Sequence, residues 1–303
     1  MGRVSTYSII ARDPATGQMG AAVQSHYFSV GPIVPWAEAG VGAVCTQSLV
    51  DVSYGPLGLE GMREGQSAPE ALARLLGADD GAPVRQVAML DAAGRVAAHT
   101  GRRCIAAAGH LVGESFSVQA NMMENPGVWP AMAAAYRAAA GDLAERMLCA
   151  LEAAEAAGGD VRGRQSAALV VVQRDRAEQP WMGRLMELRV EDAPEPLAEL
   201  QRLVRLRRAY NFEDEGDAHM GAGRLEAARV AYAEAARLAP EVDELVFWEA
   251  VALLNAGEEA DALERFRPLF RKDARWAKLL GRLAPSGLVP EAAVARVMEK
   301  LAG

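Results

Sequence analysis

At Glu191–Pro196 the chain changes character. Before this EDAPEP segment, apolar runs of strand length alternate with helix-period segments. After it, Ala, Leu, Glu and Arg dominate and no strand pattern returns. A period of two buries one face of a sheet, whereas a period of 3.6 buries one stripe of a helix. One chain carrying both in separate blocks must therefore build two architectures. Its 303 residues, 51% hydrophobic and 24% charged, are enough for two cores. We assign residues 1–205 to an α+β domain and 206–303 to an all-helical domain.

Within the first block the expected strands are Thr6–Arg12, Met19–Ser25, Val41–Gln47, Val84–Asp91, Arg95–Thr100, Phe116–Asn121, Ser166–Arg174 and Met186–Val190. Turn signals at Asp13–Gly17 and Asp91–Gly94 join two of the pairs as hairpins. Helices are expected at Gly55–Glu64, at Ala68–Leu76 and as one long segment over Pro130–Ala157. Ser67 and Glu70 form a capping-box pattern at the start of the second. Helices packed on sheets in layers follow from this order.

The second block repeats itself. Gly223, Ala228 and Tyr232 recur 34 positions later as Gly257, Ala262 and Phe266, with Gly216 in a preceding helix and Pro240 after the second. GAGRLEAARVAYAEAARLAP resembles a tetratricopeptide unit, with small residues where helices approach and an aromatic ring in the seam. A stack of this kind implies a protein or peptide partner.

A net charge of −8 and a pI near 5.2 exclude a nucleic-acid groove as the main business. The three lysines, Lys272, Lys278 and Lys300, all lie in the second block. Three cysteines without a CxxC spacing give no metal-site pattern and suit a reducing compartment, and neither a signal segment nor an apolar run of spanning length is seen. A cytoplasmic protein with no metal, no cofactor and no membrane partner is expected.

Polar residues cluster at the ends of the apolar strands, where burying them is costly unless they are paired or useful. Ser5 and Thr6 open the first strand. Gln24, Ser25 and His26 close the second, which the hairpin lays beside them. Thr46 and Gln47 end the third strand, Gln119 and Asn121 the sixth, and Asp160, Arg162, Gln165 and Ser166 precede the seventh. A hydroxyl at the tip of a first strand can attack a carbonyl, and a freed α-amine can take its proton. His26 offers a base that needs no processing, acting on Ser25. An Asp160–Arg162 pair satisfying itself in its own loop is the structural alternative. Cys45 is read as a small core hydrophobe, and His99, His110 and His219 as structural.

YSIIARDPATGQMGAAVQSHYFSVG, VPWAEAGVGAVCTQSLVDVSYGPLGLE and GGDVRGRQSAAL together resemble a bacterial and archaeal family of unknown function, placed in the N-terminal-nucleophile hydrolase superfamily. The resemblance covers roughly residues 5–205. It implies a four-layer αββα sandwich like that of proteasome subunits, with Thr6 on the family's N-terminal threonine and Ser5 as second choice. It further implies Ser25 with His26 as partner, Asp160 and Ser166 orienting the α-amine, and Thr46, Gln47, Gln119, Asn121, Arg162 and Gln165 around substrate or oxyanion. Some members carry a C-terminal segment described as peptidoglycan-binding; here that segment is tetratricopeptide-like.

The reading is an amidohydrolase acting on a small amide or peptide-like bond after cleavage between Ser5 and Thr6. A silent fold of the same type, binding a ligand or partner, is the alternative. A homodimer is expected from superfamily habit and from the apolar helix over Pro130–Ala157. The lysine of proteasome-like sites has no counterpart before Lys272.

Overall fold

The turn at Asp13–Gly17 folds β2 (Thr6–Arg12) back on β3 (Met19–Ser25), closed by hydrogen bonds from Gly17 N to Asp13 O and from Asp13 N to Gln18 O. From this hairpin an antiparallel sheet of six strands grows outward in the computed structural model, which describes residues 3–4 and 6–301. On one side β3 pairs with β10 (Ser166–Val172), which pairs with β11 (Arg184–Val190). On the other, β2 pairs with β9 (Phe116–Asn121), which pairs with β8 (Gly109–Gly113). A second antiparallel sheet centres on β5 (Gly42–Leu49). One edge of β5 takes β6 (Arg85–Asp91), followed by β7 (Val96–Thr100). It also pairs with β4 (Pro35–Glu38) and with β1 (Arg3–Val4), the latter opposite Ser48 and Leu49.

Three apolar seams fix the layers. Ile10, Ala21, Val23, Cys45, Leu90 and Val170 lock the two sheets face to face. Alternate residues, among them Tyr7, Ile9, Val118 and Leu169, pack on α3 (Val128–Ala138) and α4 (Leu143–Ala156). The outer face of the second sheet uses Val44, Val87 and Met89 against α1 (Tyr54–Arg63) and α2 (Ala68–Gly77). The order is helix, sheet, sheet, helix, and the capping box of Ser67 with Glu70 is formed.

Three expectations change. The helix over Pro130–Ala157 is two helices, because Gly141 turns the chain at φ +96° and Asp142 caps a new start, accepting from Glu145 N at 3.0 Å. The strand to Arg174 stops at Val172, and its partner begins earlier, at Arg184. Strands β4 and β8 were not anticipated; one contains a proline and the other begins and ends in glycine, both weak strand signals.

The chain divides into two compact units, Met1–Val204 and Arg205–Gly303, within helix α5 (Pro196–Gly221). The second unit continues with α6 (Leu225–Leu238), α7 (Asp243–Asn255), α8 (Glu259–Lys272), α9 (Ala274–Leu283) and α10 (Glu291–Leu301). The 34-residue repeat appears as equivalent places in α6 and α8. Ala228 and Ala262 are fully buried, and Tyr232 and Phe266 fill the seams. A Cβ on Gly216 would lie 2.4 Å from the Tyr232 ring, so only glycine allows that approach. Among the described residues no helix is long and apolar enough to cross a membrane.

Glu213 of α5 is buried with Asp217, Asp214 and Glu244 nearby. Burial first, and these carboxylates second, push its carboxyl from 4.5 up to about 7. The folded unit therefore holds this proton more tightly than the unfolded chain. The contribution of this group to stability is fullest below pH 4.5 and is lost as pH rises through about 7. Glu213→Gln should flatten that fall, measured as the thermal midpoint of the helical unit between about pH 5 and 8. An unchanged slope would show that Glu213 does not titrate in this window.

Candidate functional site

Strand register gathers the hydroxyls. Thr6 pairs with Ser25 on one side and with Asn121 on the other, while Ser25 pairs with Ser166. Directly opposed residues share a face, so Ser166, Ser25, Thr6 and Asn121 form one row across four strands, turned toward the second sheet. None of the four is more than 1% exposed. Thr6 Oγ1 donates to Ser25 Oγ at 3.1 Å. Ser166 Oγ donates to Tyr27 O at 2.5 Å and accepts from Val30 N at 3.2 Å, tying the 27–30 turn to the row.

The facing sheet answers with carboxamides. Gln47 Nε2 donates to Thr6 O at 3.2 Å and to Gln86 Oε1 at 2.8 Å. Asn121 Nδ2 reaches the same two oxygens, at 3.4 and 2.9 Å. Gln86 Nε2 in turn donates to Ala120 O and to Thr100 Oγ1, both at 2.9 Å. Beneath them Ser8 Oγ donates to Gln47 Oε1 and accepts from Gln119 Nε2, each at 2.6 Å. Gln86 was not singled out from the sequence. A glutamine inside an otherwise apolar strand is costly unless paired, and that was the available signal for Gln86. At the outer end Thr100 meets His110 Nδ1 at 2.8 Å, and burial, then His99, lowers the pKa of His110.

Other expected residues sit apart from the row. Thr46 lies on the opposite face of β5 from Gln47, and its hydroxyl donates to Asp51 O at 2.9 Å. Gln165 Nε2 turns to Asp192 Oδ1, at 3.2 Å. Asp160 accepts from Arg162 N, Nε and Nη2 and, at 3.2 Å, from His26 N. His26 thus contributes its backbone amide to this corner. Ser5 lies outside the described residues. Cys45 is buried, and burial pushes its thiol up to about 12, which keeps it neutral and inert. Ser48 and Met122, immediately after Gln47 and Asn121, adopt positive φ of 73° and 59°. Non-glycine residues held there store strain, a pattern that clusters at functional places. Among the described residues no three His, Cys, Asp or Glu side chains are placed to hold a metal ion.

A cleft of about 560 Å³ opens between β4, α1 and the β10–β11 pair, lined by Trp36, Leu57, Arg63 and Trp181 among others, and it holds none of the row. The polar row is the better candidate because four strands converge on it, whereas among the cleft's charged groups Glu38 is already paired with Arg63, and Glu187 with Arg184 and Arg189.

Residues 6–200 match a family described only as being of unknown function, DUF1028. The chain belongs to this family. The match begins at Thr6, the first residue of the row's central strand. A crystal structure of the protein SPO2555 from Silicibacter pomeroyi, which carries the same family label, is similar at 30% identity and a TM-score of 0.60. The likeness covers 66% of this chain and 85% of that one. No curated protein matches the chain.

Gln86 is the joint of the buried network, so Gln86→Leu should remove one partner each from Gln47, Asn121 and Ala120 at once. The expected loss is about 2–4 kcal/mol of unfolding free energy, measured by chemical denaturation. A change within about 0.5 kcal/mol would show that the network relaxes around an apolar side chain.

Proposed function

We propose that the first unit is an N-terminal-nucleophile amidohydrolase whose nucleophile is Thr6, acting on a small amide or peptide-like bond once residues 1–5 are removed. The carrying observation is the Thr6 hydroxyl at the start of a central strand, bonded to Ser25, with its own carbonyl held from the facing sheet by Gln47. The αββα layering and the family match that starts at Thr6 support the same reading.

Cleavage between Ser5 and Thr6 gives Thr6 a free α-amine. That amine takes the Oγ1 proton as the oxygen attacks the substrate carbonyl, and it returns the proton to the leaving amine. Water then attacks the ester, with the amine again as base, and releases the acid. Ser25 aims the hydroxyl. Gln47 and Asn121 fix the Thr6 backbone, and Gln119 fixes Ser8 beneath it. Asp160, braced by Arg162, and Ser166 hold the loops that border the row. Removing residues 1–5 would also take β1 off β5 at Ser48 and Leu49, uncovering this end of the sandwich. The neutral carboxamides leave basicity to the amine, since this unit contains no lysine.

Full burial of Thr6 favours the second reading for the uncut chain: a silent fold of the same type that binds a partner through the tetratricopeptide-like helices. Intact-mass measurement separates the two. Loss of residues 1–5, followed by single labelling of Thr6 with a β-lactone probe, is expected for the hydrolase. Thr6→Ala should abolish both cleavage and labelling, a drop of at least about 100-fold. A chain that keeps its first residues and ignores the probe would overturn the nucleophile assignment.

A further inference from the structure

Strand β11 ends the six-stranded sheet, and among the described residues no strand pairs with its outer edge. Open edges are usually blunted by shortness, lysine, proline or a bulge. β11 has seven residues, with neither lysine nor proline, and its one irregularity lies at the Arg184 end, leaving Met186–Val190 regular. Just before it, Trp181 is 68% and Met182 49% exposed. On the face of β11 toward the second sheet, Glu187 is paired with both Arg184 and Arg189. On the other face, Met186, Leu188 and Val190 continue the apolar seam under α4 and α5.

We infer that β11 is the contact surface for a second copy of this chain, the two strands pairing antiparallel about a two-fold axis through Leu188. This inference stands on the edge alone and is independent of the role given to Thr6. Every contact in such an interface occurs twice, and directly opposed residues share a face, so the axis must pass through a residue position. The charges choose which one. With Leu188 opposite itself, Arg189 faces the partner's Glu187 and Met186 faces the partner's Val190. An axis through Glu187 would set two carboxylates face to face, and one through Arg189 two guanidiniums. An axis through Met186 yields no opposite-charge pair, and one through Val190 would lay the strand against residues past its own end, with Pro194 opposite Met186.

The same register carries the Trp181–Met182 end of one copy toward the partner's cleft of about 630 Å³ beside Val190, Ala193, Ala198 and Leu203. The exposed aromatic thereby gains an apolar seat. The contact also extends beyond one strand edge, which alone is small for a stable dimer.

Light scattering on the full chain should give twice its 32.2 kDa mass. Glu187→Arg places like charges opposite each other twice and should weaken association by about tenfold or more. Adding Arg189→Glu exchanges the signs and should restore the dimer. Leu188→Cys should form an intermolecular disulfide on oxidation at the axis, where the two Cα atoms come within bridging distance, against the background of the native cysteines. A wild-type chain that stays at single mass overturns the proposal. So does a dimer that neither responds to Glu187→Arg nor is trapped by Leu188→Cys. Should Glu187→Arg fail to fold, the Leu188→Cys yield alone decides.

Discussion

Two sheets can stack on apolar side chains alone, but burying unpaired carboxamides between them is costly. The hydrogen bonds of Gln47, Gln86 and Asn121 across the inter-sheet space are therefore the constraint on which the candidate site depends. Each amide is satisfied only when both sheets stand at one spacing and one register, since an orphaned buried amide costs about 1–3 kcal/mol. The apolar seam of Ile10, Val23, Cys45 and Leu90 supplies the attraction, and the carboxamides select the alignment. The Thr6 carbonyl is captured in that alignment, so the placing of its hydroxyl is a by-product of how the sheets meet.

Local chemistry made much of this legible in advance. The hairpin turn at Asp13–Gly17, the capping box at Ser67 and the run Phe116–Asn121 each announce themselves over a few residues. The strand-end hydroxyls were readable for the same reason, because a polar residue closing an apolar run has to be accounted for. What stayed hidden depends on partners far along the chain. Gln86 and Ser8 acquire meaning only through Gln47, on another strand in the case of Gln86 and on another sheet in the case of Ser8. Thr46 and Gln47 are neighbours in sequence, yet alternation sends them to opposite faces of β5, and only the sheet packing says which face matters. The break between α3 and α4 was signalled by Gly141–Asp142, but a continuous alanine-rich pattern masked it.

The helical unit follows a different logic. Its 34-residue repeat is visible in three spaced residues because each unit meets the same packing problem: a small side chain where helices cross and a ring in the seam. Gly216 and Tyr232 show how tight that solution is, with no room for one added carbon.

The row Ser166–Ser25–Thr6–Asn121 also bears on how the chain reaches its fold. Side chains alternate strictly along a strand, so a slip of β2 by one residue against β3 would swing Tyr7 into the place of Thr6. A phenol would then sit among amides built for a hydroxyl, while Thr6 and Ser8 would be pressed into the oily seam under α4. Three strand junctions are checked by the same row, and an error at any one of them leaves polar groups stranded. The row thus acts as a proofreader of strand pairing, penalising a one-residue slip when the two sheets close.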